Sequence, residues 1–174
     1  MSIEKRNKIS LLIRYWVPVI LVMFIIFFAS SQPYEKQNVR PMLGKIINEE
    51  FVKVKFSHTK FNYDGHEISI RSKGVPGFIE FFIRKAAHLT EYCFLGFLLL
   101  RAFYSVTNLT RVVAVIITLF ISFVYAFSDE FHQVLTPHRT SLFIDVILDS
   151  LGACLGILLF LLMKYVILRI RQRN

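Results

Sequence analysis

The chain has 174 residues, of which 55% are hydrophobic and 18 are Phe, and it carries a formal net charge of +9. That is more apolar surface than a single water-soluble domain of this length can hide, which excludes an ordinary globular enzyme and directs attention to the bilayer. The positive charge gathers beside apolar runs near both ends, a membrane-flanking pattern, and no nucleic-acid partner is expected.

In chain order, the first apolar stretch is 11–30, behind Lys5, Arg6 and Lys8. It is too long for the h-region of a secretory signal and is read as an uncleaved anchor, with Tyr15 and Trp16 in one interfacial belt. The spans that follow are placed at about 86–104, 112–131 and 142–168. Each is judged against the ~20 helical residues that cross a ~30 Å hydrocarbon core. Residues 112–127, "VVAVIITLFISFVYAF", are clean but short, so the helix is expected to continue past Phe127 while Arg111 snorkels at the other end. The predicted fold is therefore all-α: an integral membrane protein with four transmembrane helices and an extracytoplasmic loop between helices 1 and 2, forming a single domain over 1–174.

Residues 34–83 are the one sizeable non-membrane piece. "PMLGKIINEEF" has apolar residues at helical spacing and predicts an amphipathic helix on the bilayer surface. The alternating stretch "VKVKFSHTKFNYDGHEISI" contains an Asp64-Gly65 turn signal and reads as a short hairpin, with His58 and His66 solvated. Cys93 and Cys154 fall at different depths of separate spans, so no disulfide is expected.

Four spans bring both termini to one side. Lys and Arg divide almost evenly between the two sides, but their density is higher at the chain ends. The segment 34–85 dilutes its cations with Glu35, Glu49, Glu50, Asp64, Glu67 and Glu80. Both termini are accordingly placed in the cytoplasm.

At 100° per residue each of the last three spans has one polar stripe. Lys85, His88 and Tyr92 share an arc of about 80° with Glu91 flanking, while Asp129, His132 and Gln133 continue a stripe that includes Thr118, Ser122 and Tyr125 within about 100°. Asp145 and Asp149 share about 60° with Gly152 and Gly156. The helix directions carry all of these to the same membrane face, and the turn "SDEFHQVLTPHR" adds Glu130 and Arg139. The predicted pocket thus comprises Lys85, His88, Glu91, Tyr92, Asp129, Glu130, His132, Gln133, Arg139, Asp145 and Asp149. Charges inside a membrane face the bundle and find partners, so helix-locking pairs such as Lys85 with Asp129 or Arg139 with Asp145 would also account for some of them.

"SDEFHQVLTPHRTSLFIDVILDSLGACLG" closely resembles the signature of the VanZ-like membrane proteins, a Ser-Asp-Glu, His-Gln, Pro, Arg, Asp and Gly series in this order. "RKAAHLTEYCFLG" resembles the family's other signature, and "WVPVILVMFIIFFASSQP" its usual opening. Asp149 stands where the family more often has Asn, and His138 where Gly is commoner. The resemblance implies a small bacterial inner-membrane protein with a cell-envelope role; the founding member is associated with low-level resistance to the glycopeptide teicoplanin. It brings no cofactor and no reaction. With the polar pocket, a cell-envelope role makes membrane lipids and a lipid-linked cell-wall intermediate the expected partners.

Two mechanisms of different class fit the residues. In one, Lys85 and Arg139 hold an anionic lipid-linked group while the carboxylates tune their reach. In the other, the protein is an enzyme acting on a lipid headgroup, with His88 or His132 as acid and base and Arg139 stabilising charge. A metal variant would use His88, Glu91, Asp129 and His132, but these lack a strict zinc spacing and no metal is expected. A proton-coupled transporter fits less well, because four spans show no internal repeat.

Overall fold

The computed structural model describes residues 3–134 and 143–173. It has four long helices and a small extramembrane cap. Helix α1 (Ile3–Ser30) leads to a 3-10 turn (Tyr34–Gln37), α2 (Arg40–Ile46), α3 (Glu49–Phe56) and a hairpin of β1 (Lys60–Tyr63) and β2 (His66–Ser69). The long helices α4 (Ile70–Val106), α5 (Arg111–Val134) and α6 (Phe143–Arg171) follow. With α1, all are long and apolar enough to cross a bilayer. The all-α membrane architecture read from the sequence is the one observed, and 83% of the structure is helical.

The predicted amphipathic helix is divided in two. Asn48 breaks it because its side chain accepts a hydrogen bond from the Phe51 amide at 3.1 Å, which starts a new helix there. Leu43 and Val52 are buried, whereas Met42, Ile46, Phe51 and Val54 are exposed, an apolar outer surface suited to lying on lipid. The hairpin covers less than its alternation indicated, since 52–56 belong to α3. Its turn is Asp64-Gly65, with φ of 50° and 82°. Positive φ at both central positions is what a tight antiparallel turn demands, and Asp-Gly supplies it cheaply. Lys60 pairs with Ser69 and Tyr63 with His66.

The second span differs most from its expected limits. Its helix starts at Ile70, well before residue 86. Ser69 caps it, accepting from the Ser72 amide while the Ser72 hydroxyl accepts from the Ser69 amide. Gly74 then interrupts it at φ 68°, ψ 170°, a region open only to glycine, and Pro76 restarts it at a position where a missing N–H does no harm. The 37-residue helix exceeds what a bilayer core requires, so its first turns project and carry Glu80, Arg84 and Lys85. These turns read as loop because "GFIEFFIRK" mixes charge with aromatic residues.

Helix α4 is the centre of the bundle, packing along α6, α1 and α5. Tyr92, Leu95, Leu99, Leu100 and Ala102 form its buried face, and Trp16 of α1 meets Phe103 edge-on at 5.3 Å. Gly96, Gly152 and Gly156 line the α4–α6 contact, where a Cβ on any of them would run into backbone of the facing helix. On α5 the buried face is Ala114, Thr118, Ser122, Ala126, Asp129, Glu130 and Gln133, the polar stripe placed inward. The opposite faces, among them Phe120, Phe123 and Phe127, are exposed apolar surface of the kind a bilayer covers.

Candidate functional site

The end of the bundle where α4 begins, α5 finishes and α6 begins collects the polar residues. Asp145, in the first turn of α6, is buried and held by both neighbouring layers. Lys85 of α4 donates to Oδ1 and Oδ2, each at 2.6 Å, and the Tyr63 hydroxyl of the hairpin donates to Oδ1 at 2.5 Å. The Lys85 ammonium also sits over the rings of Tyr63 and Phe81, at 4.7 and 5.4 Å. Burial, followed by the hydrogen bond to Asp145, raises the Tyr63 phenol above its ordinary range, so it remains a donor. Lys85, expected to lock against Asp129, pairs with Asp145 instead; the other expected pair, Arg139 with Asp145, falls on a residue that is not described. Arg139 lies outside the described residues, as does the rest of 135–142.

Deeper in, His88 Nδ1 is 3.4 Å from Asp149 Oδ1, and Asp149 is 0% exposed. Tyr92 is buried one turn further along α4, its ring 6.2 Å from Tyr125. Asp129 accepts from Gln133 Nε2 at 3.1 Å, one turn along the same helix. Glu130 is buried beside His88 and Asp149, and among the described residues these three form the grouping with metal-ligand proximity. Glu91 lines a small cavity of about 170 Å³ with Arg84, His88 and Asp129. His132 stacks on Phe27 of α1 at 4.5 Å and does not line this cavity or the larger one described next. Of the predicted set, the structure thus gathers Lys85, His88, Glu91, Tyr92, Asp129, Glu130, Gln133, Asp145 and Asp149 around one end of the bundle and turns His132 toward α1.

A second group was missed in the sequence. Glu80 is only 2% exposed, and it ties the cap to α4. Arg40 Nε donates to its Oε2 at 2.6 Å, the Tyr34 hydroxyl donates to the same oxygen at 3.0 Å, and Arg84 Nε is 3.8 Å from Oε1. Arg84 lies over the Tyr34 ring at 4.5 Å. Burial and the Glu80 carboxylate push the Tyr34 phenol up as well, which keeps it a donor. Glu80 and Arg84 stand one helical turn apart in "FIEFFIR", a spacing that signals a paired face and is the clue available to a reader of the sequence.

Between the two groups lies a cavity of about 330 Å³. Arg40, Lys73, Arg84, Lys85, His66 and His88 line it together with Tyr34, Tyr63, Gln133, Glu80 and Asp145. Both carboxylates in the lining are already engaged by cations, and among the described residues Arg84 Nη2 is buried without a hydrogen-bond partner. His66, expected to be solvated, is exposed but forms part of this wall. Cys93 and Cys154 are free thiols, with no role in the cavity.

No curated protein and no solved structure matches the chain. A sequence profile described as VanZ/LLP1 matches residues 15–164, which takes in the cap, α4 and α5 whole and the greater part of α1 and α6. With four membrane-length helices arranged around these signature residues, the chain is a multi-pass membrane protein and belongs to the VanZ/LLP1 family.

Proposed function

We propose that the protein is a bacterial cell-envelope protein that binds the anionic headgroup of an envelope lipid, or of a lipid-linked cell-wall intermediate, in the cavity beneath its cap. The observation that carries this reading is the cavity wall itself, where Arg40, Lys73, Arg84 and Lys85 outnumber two carboxylates that are already occupied. A guanidinium fork matches phosphate or carboxylate geometry, and a wall whose cations outnumber its carboxylates leaves positive charge for an anion to neutralise. A site open beside apolar helix faces admits a lipid whose tails remain in the bilayer. Any link to glycopeptide resistance would run through such an intermediate.

Native mass spectrometry of gently extracted protein tests the reading directly. Wild type is expected to retain an anionic lipid, and the double substitution Arg40→Gln, Arg84→Gln to lose on the order of tenfold in retention. Lys45→Gln, on the exposed side of α2, serves as the matched control. Equal retention of zwitterionic and anionic lipid by wild type would remove the anion site.

The His88 and Asp149 contact favours a second reading, an enzyme that modifies the headgroup with His88 as acid and base and a carboxylate orienting it. Turnover of a bound lipid, lost in His88→Gln at normal abundance, would distinguish it from simple binding.

We place both termini in the cytoplasm and the cap outside, on the density of Lys and Arg at the chain ends. In a background with Cys93 and Cys154 replaced by Ala, a cysteine at Asn62 is expected to react with an impermeant maleimide on intact cells while one at Gln172 stays unlabelled. The reverse pattern would invert the protein.

A further inference from the structure

We propose that His88, Glu130 and Asp149 form a binding site for one divalent metal ion of the zinc or manganese class. The three come from three helices, α4, α5 and α6, and each offers one ligand atom, all within 4.8 Å of one another. Such convergence requires three packed helices, because His88, Glu130 and Asp149 lie far apart in sequence.

Asp149 supplies an observation of its own. It is 0% exposed, and among the described residues neither carboxylate oxygen has a hydrogen-bond partner. The His88 Nδ1 that faces it at 3.4 Å is also buried without a hydrogen bond. A carboxylate shut away from water normally collects donors, since leaving it unsatisfied is costly. Here the imidazole nitrogen and the carboxylate oxygen face each other at 3.4 Å, a long separation for a hydrogen bond. Two ligands of one tetrahedral ion, each ~2.0–2.1 Å from it, stand ~3.3 Å apart. The observed spacing therefore matches that of two donors of one cation.

One imidazole nitrogen and two carboxylate oxygens form a donor set of intermediate hardness, suited to zinc or manganese and poorly suited to copper(I), for which the free thiols lie elsewhere. Three protein ligands leave coordination positions open, the arrangement of an exchangeable rather than a sealed structural site. His88 lines both cavities, so the open side faces the space assigned above to the headgroup. The metal site stands on its own geometry and does not require that reading.

The test uses the full-length protein in mild detergent, stripped with chelator and titrated with Co²⁺, followed by competition with Zn²⁺. Wild type is expected to bind one Co²⁺ per chain, to show the d–d absorption of a nitrogen- and oxygen-ligated ion, and to melt at a higher temperature with Zn²⁺ than without. Asp149→Asn and Glu130→Gln, close in shape to the native residues, are each expected to weaken Co²⁺ by more than about tenfold. If either variant fails to accumulate, the wild-type spectrum and its Zn²⁺-dependent melting still decide. No bound Co²⁺ in wild type overturns the proposal. So does a spectrum that survives Asp149→Asn but vanishes in the double substitution His58→Ala, His66→Ala, which would put the ion on the cap. Lipid retention by the Arg40 and Arg84 variants, measured in chelator, is a separate readout, so either idea can fail without the other.

Discussion

Gly156→Ala is expected to lower the stability of the whole bundle, by about 1–3 kcal/mol or more, and Gly156→Leu to abolish accumulation in the membrane. A Cβ at this position would collide with the Cys93 carbonyl oxygen on α4. The obstruction is main chain and cannot rotate aside as a side chain would. Relief comes only by parting α4 from α6, which weakens the contact along its length. Gly152 and Gly96 lie in the same seam, and a Cβ at Gly152 would stand 2.5 Å from the Leu89 oxygen. Because α4 brings Lys85 and His88 while α6 brings Asp145 and Asp149, the glycine seam also sets the spacing of the site. Thermal unfolding in detergent checks the expectation, with Cys154→Ala, on the exposed face of the same helix, as the neutral comparison. Wild-type melting by Gly156→Ala would mean that α4 and α6 do not meet at this point.

Lys85→Met should be the most damaging single change to the polar end. Among the described residues it leaves Asp145 buried with the Tyr63 hydroxyl but without a cation. Removing one member of a buried pair costs about 3–5 kcal/mol, most of it the uncompensated charge left behind. The double change Lys85→Met, Asp145→Leu is therefore expected to recover most of that loss, since a well-packed apolar pair replaces the ion pair without a stranded carboxylate. Chemical or thermal unfolding of the two singles and the double gives the coupling directly. Additive losses would show that the two residues do not interact. The double variant carries a further consequence: Lys85 lines the cavity, so a stable double variant that no longer retains anionic lipid separates Lys85's role in binding from its role in holding α6.

The four spans were legible without a structure because length and hydropathy alone decide what a bilayer accepts. The inward faces were legible for a similar reason. A helix repeats every 3.6 residues, so Thr118, Ser122, Asp129 and Gln133 had to share a side, and a membrane turns such a side toward protein. Asp64-Gly65 announced its turn through backbone sterics confined to two residues. Each of these depends on local or one-dimensional physics. The pairing of Asp145 with Lys85 and Tyr63, the clamp of Arg40 on Glu80, and the meeting of His88 with Glu130 and Asp149 depend instead on how helices are rotated and offset against one another. Periodicity places a residue on a face but does not choose which residue of the neighbouring helix it meets. That choice lies with the Gly96, Gly152 and Gly156 seam and with the Gly74 break, whose effects are expressed only when backbones approach. The sequence by itself determined a four-helix membrane protein with one polar end, and the tertiary structure alone decided which charges at that end are neutralised and which face an open cavity.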